Sequence, residues 1–304
     1  MTLTDLRRNR LAYALLALLA TMILAALPWS GWHSAWTVDS RTQIEMIKGI
    51  SEHGLPYVEN GPVSQYPELQ ARWNVAHGEK LWGLYPPLFA YVSAPFYLHG
   101  GVASVSRMNV LFVLFFALGT FAVARRFFRD ALLGSIAACL AVLSTPVGAA
   151  AMDISSFTLA EALIVWTIFV AMLSFESPRF SGVLAIAAGL LGGCAISTHV
   201  ITFAMVFGVV VALAQPDDQS WIPTRKSILR AGLMTVGVVI ALVPMALLNH
   251  IRFGSYNPIS YGPCVWASCT DTGIDQQSAG NMLRFALPSF AWLGATILAA
   301  YFFR

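Results

Sequence analysis

Long apolar runs broken by short polar stretches restrict this chain more than any other feature. They fall at 11–29, 106–124, 131–151, 157–174, 182–197, 200–214, 231–248 and 284–302. A helix rises ~1.5 Å per residue, so ~20 apolar residues cross the ~30 Å hydrocarbon layer of a bilayer. Most of these runs are near that length. The runs at 182–197 and 200–214 are parted by Ser197-Thr198-His199 and would be too long as one helix. The pattern predicts an all-α polytopic membrane protein with about eight transmembrane helices. Charge content agrees: 11% of the residues are charged, 57% are hydrophobic and the mean hydropathy is +0.68, whereas soluble domains carry about 25% charged residues. The net charge of +3 comes mostly from loop Arg and Lys, which gives no reason to expect a nucleic-acid partner. The first run has no clear small-residue cleavage site after it, so it reads as a span and not as a cleaved signal peptide.

Basic residues orient the spans. With the N-terminus inside, Arg7, Arg8, Arg10, Arg125, Arg126, Arg129, Arg179, Arg225, Lys226 and Arg230 all lie in short cytoplasmic segments. The opposite orientation puts all of them outside. The outer face then receives the long segment 30–105, the turn around Asp153, the turn around His199 and the loop 249–283. Every stretch with unusual polar chemistry therefore shares one face. This depends on 87–99 not crossing. That run is short and has proline at both ends, so it reads as interfacial or re-entrant.

Asp39 stands where the chain leaves the first span. An amphipathic segment follows, with Ile44, Ile47 and Ile50 at helical spacing and Arg41, Glu45, Lys48 and Glu52 between them. This is the pattern of a helix lying on a membrane surface. The stretch 51–85 is rich in Gly, Pro, Tyr and Trp, residues suited to turns and to headgroup level. It is too long for a connector and predicts a folded outer cap within a single domain spanning 1–304. Cys139 and Cys194 lie in apolar runs, whereas Cys264 and Cys269 share a polar loop and are close enough to bridge in an oxidising compartment. The chain ends as the eighth run does, which fits either a compact eight-span protein or a piece of a longer one.

Taken in order, these features resemble the GT-C superfamily of membrane glycosyltransferases, in the branch of the protein O-mannosyltransferases and aminoarabinose transferases. The likeness runs over roughly residues 1–260. It comprises one span leading to Asp39, the amphipathic segment, the element Tyr85-Pro86-Pro87-Leu88-Phe89-Ala90, the turn His99-Gly100-Gly101 before Arg107, the span ending in Ala124-Arg125-Arg126-Phe127-Phe128, the second acid Asp153, and the junction Asn249-His250-Ile251-Arg252-Phe253-Gly254-Ser255. The resemblance implies a sugar donor linked to polyprenyl phosphate, a glycan, lipid or protein acceptor, membrane lipid around the chain, and a bacterial inner-membrane location with the active face periplasmic. It implies that Asp39 is the general base that deprotonates the acceptor hydroxyl. A carboxylate beside an oxocarbenium-like centre also stabilises the positive charge that develops there.

Two departures from the family are plain. Ser40 stands where a second acid often follows the first, which removes the acidic pair a divalent metal would use; no cofactor is otherwise indicated, and the metal requirement stays open. His199 stands where a Lys often meets the lipid phosphate. The substrate-binding candidates are Asp153, Glu161, His199 and Arg41. Each has an ordinary reading beside the functional one: Asp39 and Asp153 as helix caps, Glu161 as a shallow acid reaching water, His199 as a satisfied histidine at a helix break, and Arg41 on an interfacial helix facing headgroups. Arg252 and His250 read as snorkelling residues. His53, His77 and Glu79 match no metal-ligand spacing. The rival functions are a transporter or flippase with Asp153 and Glu161 on its path, and a non-catalytic membrane subunit.

Overall fold

The computed structural model describes residues 3–30, 38–61, 74–77, 79–150, 153–215 and 223–258. It is a helical bundle carrying a small sheet at one end. The elements are α1 (Leu3–Ala25), α2 (Val38–His53), β1 (Tyr57–Glu59), β2 (Asn74–His77), β3 (Lys80–Gly83), α3 (Leu88–Phe128), α4 (Ala131–Leu143), α5 (Val147–Ala150), α6 (Phe157–Glu176), α7 (Ser181–Thr198), α8 (Thr202–Ala214) and α9 (Arg225–Phe253). Five of them, α1, α3, α6, α7 and α9, are long and apolar enough to cross a membrane. Large apolar side chains such as Leu18, Leu140, Val183, Phe207 and Val239 point outward around the bundle, as lipid contact requires.

Several expectations are refined. The run 131–151 is not one helix. It stops at Leu143, and the short α5 resumes after Ser144-Thr145-Pro146, because proline lacks an amide hydrogen and disfavours helix in the residue before it. The 87–99 segment is helical from Leu88 and runs into the following span through a break at Gly100 and Gly101. Gly101 has φ +62°, which a side chain would resist. The described part of the folded cap expected over 51–85 includes a small sheet: β1 and β2 both pair antiparallel with β3, in the order β1-β3-β2. The predicted eighth span at 284–302, most of the loop 249–283 and the Cys264/Cys269 pair lie outside the described residues.

Helix α2 forms where the amphipathic period predicts it. Its apolar face is not spent on a membrane surface, however. Met46 and Ile47 are buried in a cluster with Tyr85, Phe89, Val105, Met108, Ile154 and Leu159, and Ile44 and Ile50 pack against it. Arg41 and Lys48 occupy the exposed face.

The two ends of the bundle differ chemically. At one end Arg8 pairs with Asp130 at 2.5 Å, Asp130 caps α4 by accepting from the amides of Leu132 and Leu133, Arg126 bonds Glu176 through Nε at 2.6 Å, and the Arg230 guanidinium lies 4.1 Å from the Phe175 ring centroid. This end collects the arginine-rich segments of α1, α3 and α9 together with the end of α6. The other end collects the start of α2, the sheet, the start of α6, and the ends of α7 and α9.

Candidate functional site

The site forms where α2 begins. Asp39 sits in the first turn of α2, where the helix N-terminus favours a negative charge. The Tyr85 hydroxyl donates to Asp39 Oδ1. Tyr85 reaches it because β3 lies directly against α2. A Cβ on Gly83 would fall 2.5 Å from Met46 Cγ and 2.6 Å from its Sδ, so glycine lets the strand approach without displacing the Met46 side chain. Two residues beyond the end of β3 the chain delivers Tyr85.

The next residue of α2 reaches a second acid. Ser40 Oγ donates to Asp153 Oδ1 at 2.5 Å, and the amide of Ile154 donates to the same oxygen at 2.9 Å. Asp153 is fixed from below by Asn109 of α3, whose Nδ2 donates to the Asp153 carbonyl at 2.6 Å. Thr158 in turn donates to Asn109 Oδ1 at 3.3 Å. Asp153, Ser40, Asn109 and Thr158 are all buried. Consecutive α2 residues thus touch the Tyr85 hydroxyl and the Asp153 carboxylate.

His199 caps the C-terminal end of α7 and packs against Phe157 of α6, the rings tilted by 33° with centroids 4.2 Å apart. Burial pushes its pKa down to about 4, with the Asp39 carboxylate opposing that shift. His199 is therefore a neutral imidazole near Asp39 at neutral pH, able to donate or accept one hydrogen bond but not to serve as a cation. Glu161 lies one helical turn beyond Phe157 and is half-buried; its Oε2 is enclosed and has no hydrogen-bond partner among the described residues. Arg41 is exposed on the outward face of α2 and makes no hydrogen bond or ion pair among the described residues. It stands apart from the pair formed by Asp39 and Asp153.

No family model matches this chain, and neither does any curated protein or solved structure.

The site therefore rests on its own geometry. Of the sequence-predicted residues, Asp39, Asp153 and His199 come together, Glu161 lies one turn deeper, and Arg41 is separate. Four side chains at the site were not selected from sequence. Ser40, read as the loss of an acid, is the donor that holds Asp153. Tyr85, read with the interfacial aromatics, is the partner of Asp39. Asn109 had one available signal, a lone amide in an apolar span. Arg252, read as snorkelling, is fully buried. Its Nη2 donates to the carbonyls of Gly83 and of Tyr85, the latter at 3.1 Å, and its Nη1 donates to Asn249 Oδ1 at 3.2 Å. Among the described residues no group of three or more His, Cys, Asp or Glu is placed to hold a metal ion. The arrangement offers two oriented carboxylates, a phenol and a neutral imidazole at one end of an apolar bundle, a set suited to moving a proton and stabilising positive charge.

Proposed function

We propose that the protein is a membrane glycosyltransferase that moves a sugar from a polyprenyl-phosphate donor to an acceptor hydroxyl at the periplasmic face of a bacterial inner membrane. The observation that carries this reading is that consecutive residues at the start of α2 engage Tyr85 through Asp39 and Asp153 through Ser40, at the end of the bundle remote from the arginine-rich segments. The arginine-rich end is cytoplasmic by the charge rule, which puts the acids outside, where nucleotide sugars are not supplied.

In this mechanism Asp39, held by the Tyr85 hydroxyl, accepts the proton of the acceptor O–H. The oxygen attacks the anomeric carbon, the bond from that carbon to the phosphate oxygen breaks, and polyprenyl phosphate departs with the electron pair. In this reading Asp153, fixed by Ser40 and Asn109, supplies the carboxylate that stabilises the oxocarbenium-like centre. His199 contributes a neutral hydrogen bond to sugar or phosphate. Deleting the gene in its host and profiling lipid-linked sugars and glycans by mass spectrometry tests the reading. A transferase leaves one glycan lost and its lipid-linked donor accumulated. Unchanged glycans in the deletion would refute it and favour a transporter or a subunit.

A further inference from the structure

The junction Asn249-His250-Ile251-Arg252-Phe253-Gly254 ends α9 and has no part in the chemistry above. Gly254 closes the helix in the left-handed region, with φ +71° and its amide bonded to the His250 carbonyl at 2.8 Å. Asn249 and Arg252, three residues apart, face the same way and are buried. Asn249 Nδ2 donates to the Asn257 carbonyl at 2.7 Å, and Asn249 Oδ1 accepts from Arg252. The guanidinium also packs on Phe253, 4.5 Å from the ring centroid. Its other donors go to two backbone carbonyls of one extended segment, those of Gly83 and Tyr85.

Those two carbonyls bracket Leu84 and fix the backbone from which the Tyr85 side chain leaves. Tyr85 is the residue that donates to Asp39. The planar fork of a guanidinium holds two acceptors in a set geometry, which an ammonium cannot reproduce. We propose that Arg252 is a positioning residue: held by Asn249, it sets the Gly83–Tyr85 backbone so that the Tyr85 hydroxyl meets Asp39. The end of α9 and the Asn257 turn after it are thereby coupled to the catalytic carboxylate without touching substrate. The catalytic consequence rests on the transferase reading; the geometric claim does not.

The test uses the full chain in detergent, with 3-fluorotyrosine introduced at position 85 and read by fluorine NMR. Replacing Asp39 by Asn gives the signal of a disturbed phenol–carboxylate contact. Arg252→Lys is expected to move the resonance of residue 85 toward that position, and Asn249→Ala to move it the same way by less, while a fluorotyrosine at position 13, on α1, stays unshifted. Asn249→Ala decides the matter if Arg252→Lys does not fold. An unmoved resonance at 85 in every folded variant overturns the proposal.

In host cells Arg252→Lys is expected to reduce the glycan whose loss marks the gene deletion, and to add little further loss in a Tyr85→Phe background, because its effect passes through the Tyr85 hydroxyl. Full additivity of the two substitutions contradicts a positioning role. If the fluorine signal moves but the deletion changes no glycan, the transferase reading fails and the positioning geometry stands.

Discussion

Replacing Gly189 by alanine is expected to force α7 and α9 apart. The two helices run parallel and touch backbone to backbone. A Cβ on Gly189 would lie 2.0 Å from the Met234 carbonyl oxygen and 2.9 Å from Gly237 Cα. A Cβ on Gly237 would lie 2.3 Å from the Ile186 carbonyl oxygen. Ordinary contact begins near 3.4 Å, so the seam must open by about 1.4 Å to admit one methyl group. The obstructing atoms are backbone, and no flexible side chain can yield. Small residues allow this approach between spans, where packing replaces the hydrophobic drive that lipid removes. Opening the seam also loosens Ala188, Ile196, Met234 and Leu242, which share one buried cluster.

Overpacking of this kind costs ~1–3 kcal/mol, and the rigid neighbours place Gly189→Ala at the upper end. For a chain of 304 residues that corresponds to a melting temperature lower by about 5 °C. Gly232→Ala is the control: it lies on α9, the other helix of the seam, with nothing within 4 Å of its added Cβ. It removes a helix-interior glycine and is expected to be neutral or to stabilise by up to ~1 kcal/mol. Tryptophan-fluorescence melting of both variants in detergent is the assay. Equal melting temperatures for the two would refute the close-approach argument.

Further outcomes follow from the site. Tyr85→Phe removes the donor to Asp39; a hydrogen bond to a charged group contributes ~1.5–3 kcal/mol, so transfer should fall by roughly 10- to 100-fold, and unchanged glycan levels would count against the contact. Ser40→Ala deprives Asp153 of its side-chain donor and should lower transfer by about 10-fold, whereas Ser40→Thr, which keeps the hydroxyl, should retain more; equal loss in both would show that the hydroxyl is not what matters. His199, with its folded pKa lowered to about 4 from an ordinary value of 6.5, binds its proton in the unfolded chain first. Stability should therefore fall as pH drops from about 6.5 toward 4, and His199→Gln should flatten that part of the profile; an identical pH profile in His199→Gln contradicts the buried neutral imidazole.

Features with a regular period were legible in the sequence. Ile44, Ile47 and Ile50 marked α2, and Asp39 its first turn, because helical spacing needs no partner to be visible. The apolar runs marked the spans, and the arginines marked the end of the bundle at which they now cluster. What escaped depends on contacts across the chain. The strands β1 to β3 have three or four residues each, too few to show alternation. The apolar face of α2 looks the same in sequence whether it meets lipid or the Phe89 and Met108 side chains. An arginine near the end of a span reads as snorkelling unless β3 is known to lie within reach, and that depends on Gly83 lying against Met46. Ser40 looked like a missing acid because the acid it holds, Asp153, is far along the chain. The short α4 was hidden because apolar composition continues through Pro146 although the helix does not.

The most direct measurement is mass spectrometry of glycans and lipid-linked sugars in a deletion strain carrying either the wild-type gene or Asp39→Asn at equal protein level. Asparagine retains most of the capping ability of aspartate at a helix start but cannot take a proton from an acceptor. The account predicts that Asp39→Asn loses the same sugar as the deletion while the lipid-linked donor accumulates. A normal glycan profile in Asp39→Asn cells, against a loss in the deletion, would contradict the assignment of Asp39 as the base.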